Sequence, residues 1–486
     1  MAIIAETEGS PRDTEGGFAR YFELARYNVS IGSEVMAGFT TFLVMAYIAF
    51  VNPSILSSVP DRTGFKLDFG ATVTATCWVA SFMCILMGAF ARRPFAMAPG
   101  MGLNAVVAYQ LVAAQGLSWS QAMGIIVLEG IIITLLVLTK FRQAIMDAVP
   151  VELKRAIAAG IGLFILYIGL NQAGFVAGNA AFAKDPTAPP VALGNFGTLT
   201  VLVSVFGVLL TAWLHVRGNR AALLVGILGA TIFAIALNYL SMALGYPALY
   251  SASTGVGLLP SGIVQVPAMP RFFGLDLGAF TSKGPISSTL NTFSIMLSDF
   301  FDTMGTFVGV GLLAGFLTRD GKLPNVEKPL LVDSLGPVVG GAFGASSATT
   351  YIESGAGVSA GGRTGIVAIT VGVLFLLMPF LTPLIAIVPP QATAAALIIV
   401  GFFMLQSLKD VDWSNFKVAF PVMITMIAMP LTYSITNGIG FGFVLFTALA
   451  LFTGSARKVH WLMYLTSLAF ILYFLTEPIK SWLGVG

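Results

Sequence analysis

Apolar stretches long enough to cross a bilayer, about 17–25 residues each, recur almost without pause along the chain. They lie near 33–56, 71–90, 96–113, 119–139, 151–172, 198–216 and 221–245. A polar interval punctuated by Gly, Pro and Ser follows at 246–285, and spans resume near 286–316, 329–346, 348–360, 363–388, 391–407, 416–434 and 436–453. The pattern predicts an all-α membrane protein of about 14 transmembrane helices, seven before the interval and seven after it. A last apolar piece, Trp461 to Leu475, reads either as a fifteenth crossing or as a helix lying in the interface.

The placement of Lys and Arg tests that count, because they collect in cytoplasmic loops. With the N-terminus inside, the inner loops hold Arg92 and Arg93, the run from Lys140 to Arg155, Arg217 to Arg220, and Arg319 to Lys328. Arg363, Lys409 to Lys417, Arg457 and Lys458 also fall inside, while the outer loops carry only scattered charges such as Lys184 with Asp185, Arg271 and Lys283. This alternation places the end of the fourteenth span inside and favours the interfacial reading of the last piece. An odd number of spans per half means that the second half enters from the opposite side. That is the topology of the inverted repeats common among secondary carriers.

Composition narrows the class further. Of 486 residues, 57% are hydrophobic and 10% charged, whereas soluble domains carry about 25% charged residues. A net charge of +3 gives no footprint for nucleic acid. Cys77 and Cys84, seven apart on one predicted helix, cannot close a disulfide and read as small packing residues. His215 and His460 sit beside basic residues at helix ends, so no metal site or catalytic triad is expected and no cofactor is called for. The stretch from Met1 to Gly17 is polar and lacks a signal-peptide pattern, which predicts a cytoplasmic tail.

Two spans are poor helices. The third contains the run 98–104 (APGMGLN) and the tenth the run 346–357 (SSATTYIESGAG). They are the third members of their halves. Irregular backbone at membrane depth survives only when it is buried or lines a cavity, and paired interrupted segments point to a transport site. Packing glycines are the plainer alternative. Acidic residues add to the case. Asp299 and Asp302 lie in the eighth span at a spacing that puts both on one helical face, and Glu353 lies in the tenth. A carboxylate near the bilayer centre costs about 2.5–3.5 kcal/mol on insertion scales, so such groups usually face a cavity. Capping of broken helices is the structural alternative. Glu34 and Glu129 are weaker candidates, Glu129 as part of a proton path. Carboxylates, hydroxyls and an Asn disfavour anions and suit a planar heterocycle with N–H groups, but also leave a cationic amine or a metal ion open.

The same residues carry a family resemblance. The runs 50–56 (FVNPSIL), 98–105 (APGMGLNA), 299–306 (DFFDTMGT), 350–357 (TYIESGAG) with 361–365 (GGRTG), and 429–440 (MPLTYSITNGIG) resemble the AzgA-like adenine/guanine/hypoxanthine permeases of the nucleobase–cation symporter 2 group. The resemblance covers nearly the whole chain after the tail. It implies a uracil-permease-like fold with a core domain (31–140 and 286–388), a gate domain (141–246 and 389–486, with the last apolar helix), an N-terminal tail (1–30) and an extracytoplasmic linker (247–285). It implies base binding by Asn104, Asp299 and Glu353, with the backbone around Gly102, Leu103, Ile352 and Ser354 lining the slot. It also implies proton coupling through Asp302 or Asp299, import across the cell membrane, and a homodimer. Gly355 stands where the family pattern suggests Ala, which bears on substrate preference. Other readings are the same fold carrying xanthine, urate or pyrimidines, an intramembrane enzyme built on a carboxylate pair, and a passive channel. The chain offers no nucleophile–His set and no phosphate loop, which argues against the enzyme.

Overall fold

The computed structural model describes residues 17–139, 148–179, 181–182, 187, 189–250, 257–260, 262–316 and 325–483. Most of the N-terminal tail, the basic residues at Lys140 and Arg319, and Lys184 with Asp185 lie outside the described residues.

Helices form where the apolar stretches run, and their starts follow capping chemistry. Ser30 and Ser33 make a capping box at the head of span 1 (Ile31–Leu56), and Ser118 with Gln121 does the same for span 4 (Trp119–Leu138). Asp68 caps span 2 (Phe69–Ala91) by accepting from the Ala71 N–H at 2.7 Å. Among the described residues, nine helices are long and apolar enough to cross a membrane. The other spans are interrupted or richer in polar residues. Span 8 is the long helix Pro285–Ala314, and span 9 is Glu327–Ala342. Span 13 is Phe416–Thr432, with two internal prolines.

The two poor helices are where the chain departs from helix. Span 3 begins as a strand, Met97–Pro99, and becomes helical at Met101–Ala114. Span 10 begins as a strand, Ala348–Thr350, and continues as the short helix Ser354–Ser359. The strands pair antiparallel, Met97 opposite Thr350 and Pro99 opposite Ala348, so each satisfies backbone groups that lipid could not. Span 9 lies directly on this pair. A methyl group at Gly336 or Gly340 would run into the carbonyl oxygens of Ala348 and Ser346, so only glycine permits the approach.

The crossings gather into two groups. Spans 1–4 pack mainly with spans 8–11: span 4 on span 9, and spans 1 and 2 on span 11 (Gly365–Ala386). Span 5 (Val151–Gln172) packs on span 12 (Pro390–Lys409) and span 13. Span 13 packs in turn on span 14 (Ile435–Phe452), and spans 6 (Leu199–Val216) and 7 (Ala222–Ala243) complete this second group. Spans 6 and 7 turn Leu209, Trp213 and Ile232 outward, the surface that lipid covers. The interval after span 7 crosses the ends of spans 11 and 9, where the Gln265 N–H donates to the Phe380 carbonyl and the Phe273 N–H to the Ala342 carbonyl.

The terminal helix differs from the interfacial expectation. It extends over Trp461–Leu483 and packs antiparallel on span 14. The Ser467 hydroxyl donates to the Phe443 carbonyl at 3.0 Å, Phe470 meets Phe443 edge-on, and Phe474 stacks on Phe441. Successive turns of one helix thus meet preceding turns of the other, which is the placement of a further crossing.

Candidate substrate-binding site

Span 1 breaks at Ala46 and Tyr47 between the helices Ile31–Met45 and Ile48–Leu56. The break turns the Tyr47 side chain toward span 10, where its hydroxyl donates to Glu353 Oε1 at 2.7 Å. Glu353 follows the strand of span 10 and stands just before the helix Ser354–Ser359. A pocket of about 100 Å³ opens beside it. Its polar wall holds Tyr47, Ser298, Asp302, Thr350 and Glu353. Gly102, Leu103 and Ile352 supply the adjoining edges, and Ile161, Ile165, Val400 and Met404 from spans 5 and 12 form the opposite wall. The pocket therefore lies between the two groups of helices, polar on one side and apolar on the other. That contrast suits a flat guest with N–H groups on an edge and apolar faces.

The residues singled out in the sequence divide here. Glu353, Asp302, Gly102, Leu103 and Ile352 line the pocket. Asp299, Asn104 and Ser354 are fully buried and lie off its surface. Asn104 donates from Nδ2 to the Pro99 carbonyl at 3.4 Å. The Ser354 hydroxyl accepts from the Ala96 N–H at 2.9 Å and donates to the Tyr351 carbonyl at 2.6 Å. It ties the two interrupted spans together from behind. Glu34 proves to be a cap: its carboxylate accepts from the N–H groups of Arg363 and Thr364 and from the Thr364 hydroxyl, at 2.7–2.9 Å. Among the described residues, no three His, Cys, Asp or Glu side chains are grouped as metal ligands.

Residues 32–441 match the family model Xan_ur_permease, described as a permease family. Guanine/hypoxanthine permease PbuG of Bacillus subtilis is 39% identical over 459 residues, covering 94% of this chain and 99% of that protein. Adenine permease AdeQ of Escherichia coli is 37% identical over 459 residues, covering 94% and 96% respectively. The chain belongs to this permease family, in its AzgA-like branch. Among solved structures, the transmembrane domain of the cyanobacterial bicarbonate transporter BicA superposes with a TM-score of 0.59 at 16% identity, covering 84% of this chain and 97% of that one. The murine anion transporter Slc26a9 in its inward-facing state gives 0.58 at 13% identity, covering 92% and 74%. At such identities the likeness is one of fold, and it agrees with the all-α membrane architecture read above.

The permease holds its polar wall in place with a carboxylate that sequence reasoning missed. Asp333 of span 9, fully buried, accepts from the Thr350 N–H at 3.1 Å, the Thr350 hydroxyl at 2.8 Å and the Thr303 hydroxyl at 2.7 Å. Thr303 also shares a hydrogen bond with Thr349 at 2.9 Å. One side chain thus fixes spans 8, 9 and 10 around the strand that leads to Glu353. Hydrogen bonds to a charged acceptor contribute roughly 1.5–3 kcal/mol each, which makes Asp333 a positioning residue for the pocket. Its signal in the sequence was an acid seven residues into a helix that starts at Glu327, where it resembled a charge near the inner interface. Tyr47 carried no signal beyond being one aromatic in an apolar run.

Proposed function

We propose that this permease imports purine nucleobases (adenine, guanine or hypoxanthine) across the cell membrane, with its N-terminus inside, by proton symport. The observation that carries the reading is the position of Glu353. It is held by Tyr47 on the rim of a pocket that also takes in Asp302 and faces an apolar wall from the other helix group. The names of the relatives, adenine and guanine/hypoxanthine permeases, agree with it.

The base lies flat against Ile161, Ile165, Val400 and Met404, and its N–H edge donates to Glu353. Charge-assisted bonds in a dry site are stronger than neutral ones, so Glu353 contributes most to affinity. Asn104, Asp299 and Ser354 support the slot from behind, and the backbone at Gly102, Leu103 and Ile352 closes it. Asp302, on the pocket, and Asp299, one turn earlier on span 8, carry the coupling proton. The core, 31–140 and 286–388, then moves past the gate, 141–246 and 389–486, in an elevator-like or rocking step, and the protein works as a homodimer.

Uptake of tritiated adenine, guanine and hypoxanthine in cells lacking their own permeases tests the reading. Glu353→Gln replaces a charged acceptor by a neutral amide and is expected to lower uptake at least about tenfold, while the protein remains folded in detergent. Wild-type uptake by that variant would refute the assignment of Glu353. Indifference to a protonophore, with dependence on sodium, would refute proton coupling.

A further inference from the structure

Glu129 takes no part in the pocket. It sits midway along span 4, 0% exposed, and neither carboxylate oxygen meets a hydrogen-bond partner among the described residues. Its neighbourhood is the interior of the core. One turn further along span 4, Ile133 packs with Met296 and Phe300 of span 8, which lie three residues before and one after Asp299. Toward span 9, Gly130 lies against Pro337 and Val338, and the Thr134 hydroxyl donates to the Ser334 carbonyl at 3.2 Å.

The ionisable groups facing Glu129 are carboxyls. Asp299 acts on it from span 8 and Asp333 from span 9. Span 3 offers only Tyr109, whose hydroxyl accepts from Gln172 at 2.9 Å, and the helix Gly278–Ser282 has no ionisable side chain. Asp333 is committed to Thr303 and Thr350.

A charged carboxylate with no donor in such an interior is strongly unfavourable, and two like charges alongside make it more so. A neutral carboxyl is not. We propose that Glu129, together with Asp299, is the proton-carrying site of the core, set behind the base pocket. Asp302 faces the pocket one turn beyond Asp299 on span 8 and passes the proton between the pocket and this pair. The loaded core moves with the proton in place. The unloaded core returns after Glu129 and Asp299 have released it to the side where the base has left. The proposal rests on the proton-symport reading, and it names a residue outside the pocket for the coupling.

The test separates exchange from accumulation. In proteoliposomes, Glu129→Gln is expected to retain equilibrium exchange of labelled purine within about twofold, while accumulation driven by an imposed pH gradient falls at least about tenfold. The pH dependence of uptake should flatten. Glu129→Asp should keep gradient-driven accumulation with a displaced pH profile. Wild-type accumulation by Glu129→Gln would overturn the proposal, and so would parallel loss of exchange and accumulation in both variants. A second measurement needs neither folding of a variant nor a substrate. In the wild-type protein, a membrane-soluble carbodiimide, which attacks protonated carboxyls, should modify Glu129 at neutral pH and less at alkaline pH, read by peptide mass spectrometry. An unmodified Glu129 would overturn the assignment. If the wild type exchanges no purine but Glu129 is labelled, the cargo reading fails and the proton site stands.

Discussion

At the residue scale, the pocket's polar wall centres on Glu353, which accepts from the Tyr47 hydroxyl at 2.7 Å. A carboxylate in an apolar span is conspicuous because its burial is costly, so Glu353 and Asp302 stand out in the sequence alone. Which acid faces the pocket does not. Residues three apart on a helix are offset by about 60° around its axis. That is close enough to share a face and far enough for Asp302 to reach the pocket while Asp299 stays inside. The same geometry turns Asn104 away, since it lies about 200° around the helix from pocket-lining Gly102. Tyr47 was invisible because its role depends on a residue 306 positions away. Tyr47→Phe removes the donor to Glu353 and little else. The lost bond to a charged group, roughly 1.5–3 kcal/mol, is expected to weaken purine affinity about tenfold or more with expression unchanged. Competition uptake would measure it, and an unchanged affinity would mean that Tyr47 does not orient the carboxylate.

At the element scale, hydropathy located the crossings because bilayer thickness fixes their length, and Pro99, Gly100 and Gly102 marked where span 3 fails as a helix. That the failures are strands paired with each other was not readable, because the antiparallel pairing of Met97 with Thr350 joins segments about 250 residues apart. The packing of the terminal helix was not readable for a related reason. Its apolar part, Trp461–Leu475, is short, and its partner face on span 14 is recognisable only in contact. The strand pair depends on how closely span 9 approaches it. Gly340→Leu would force that helix off the Ser346 carbonyl. Overpacking of this kind costs about 1–3 kcal/mol, and here it would also disturb Asp333 and with it the Thr350 strand. A lower melting temperature in detergent together with lost uptake is expected. A Gly340→Leu protein as stable and active as wild type would show that the contact is not tight.

At the scale of the whole molecule, the two helix groups are joined on one side by polar bonds and aromatic rings, distinct from the apolar contacts around the pocket. Gln110 of span 3 donates to Asn291 Oδ1 of span 8 at 3.2 Å and to the Thr436 hydroxyl of span 14 at 2.9 Å. The Ile435 N–H donates back to Gln110 Oε1 at 2.9 Å, and Asn291 donates to Gln115 at 2.8 Å. Nearby, Tyr433 meets Tyr109, Phe164 and Tyr167 edge-on. All of these lie toward the ends of spans 3 and 5 and the start of spans 8 and 14, which is the outer side in the proposed orientation. In the proposed transport step, the core must break this tie before the pocket can open outward. Asn291→Leu removes an acceptor used by Gln110, Gln115 and Thr436. At about 1 kcal/mol for each net bond lost, the balance between outward-closed and outward-open forms should shift about tenfold or more toward opening. Both native cysteines are buried, so a cysteine placed at Ile165, on the pocket wall and outside this tie, reports the shift with little background. Its labelling by an impermeant maleimide from outside should quicken several-fold when Asn291→Leu is added. Equal rates in the two backgrounds would mean that the tie does not hold the outer side closed, and that the aromatic contacts or the apolar interface set the resting state instead.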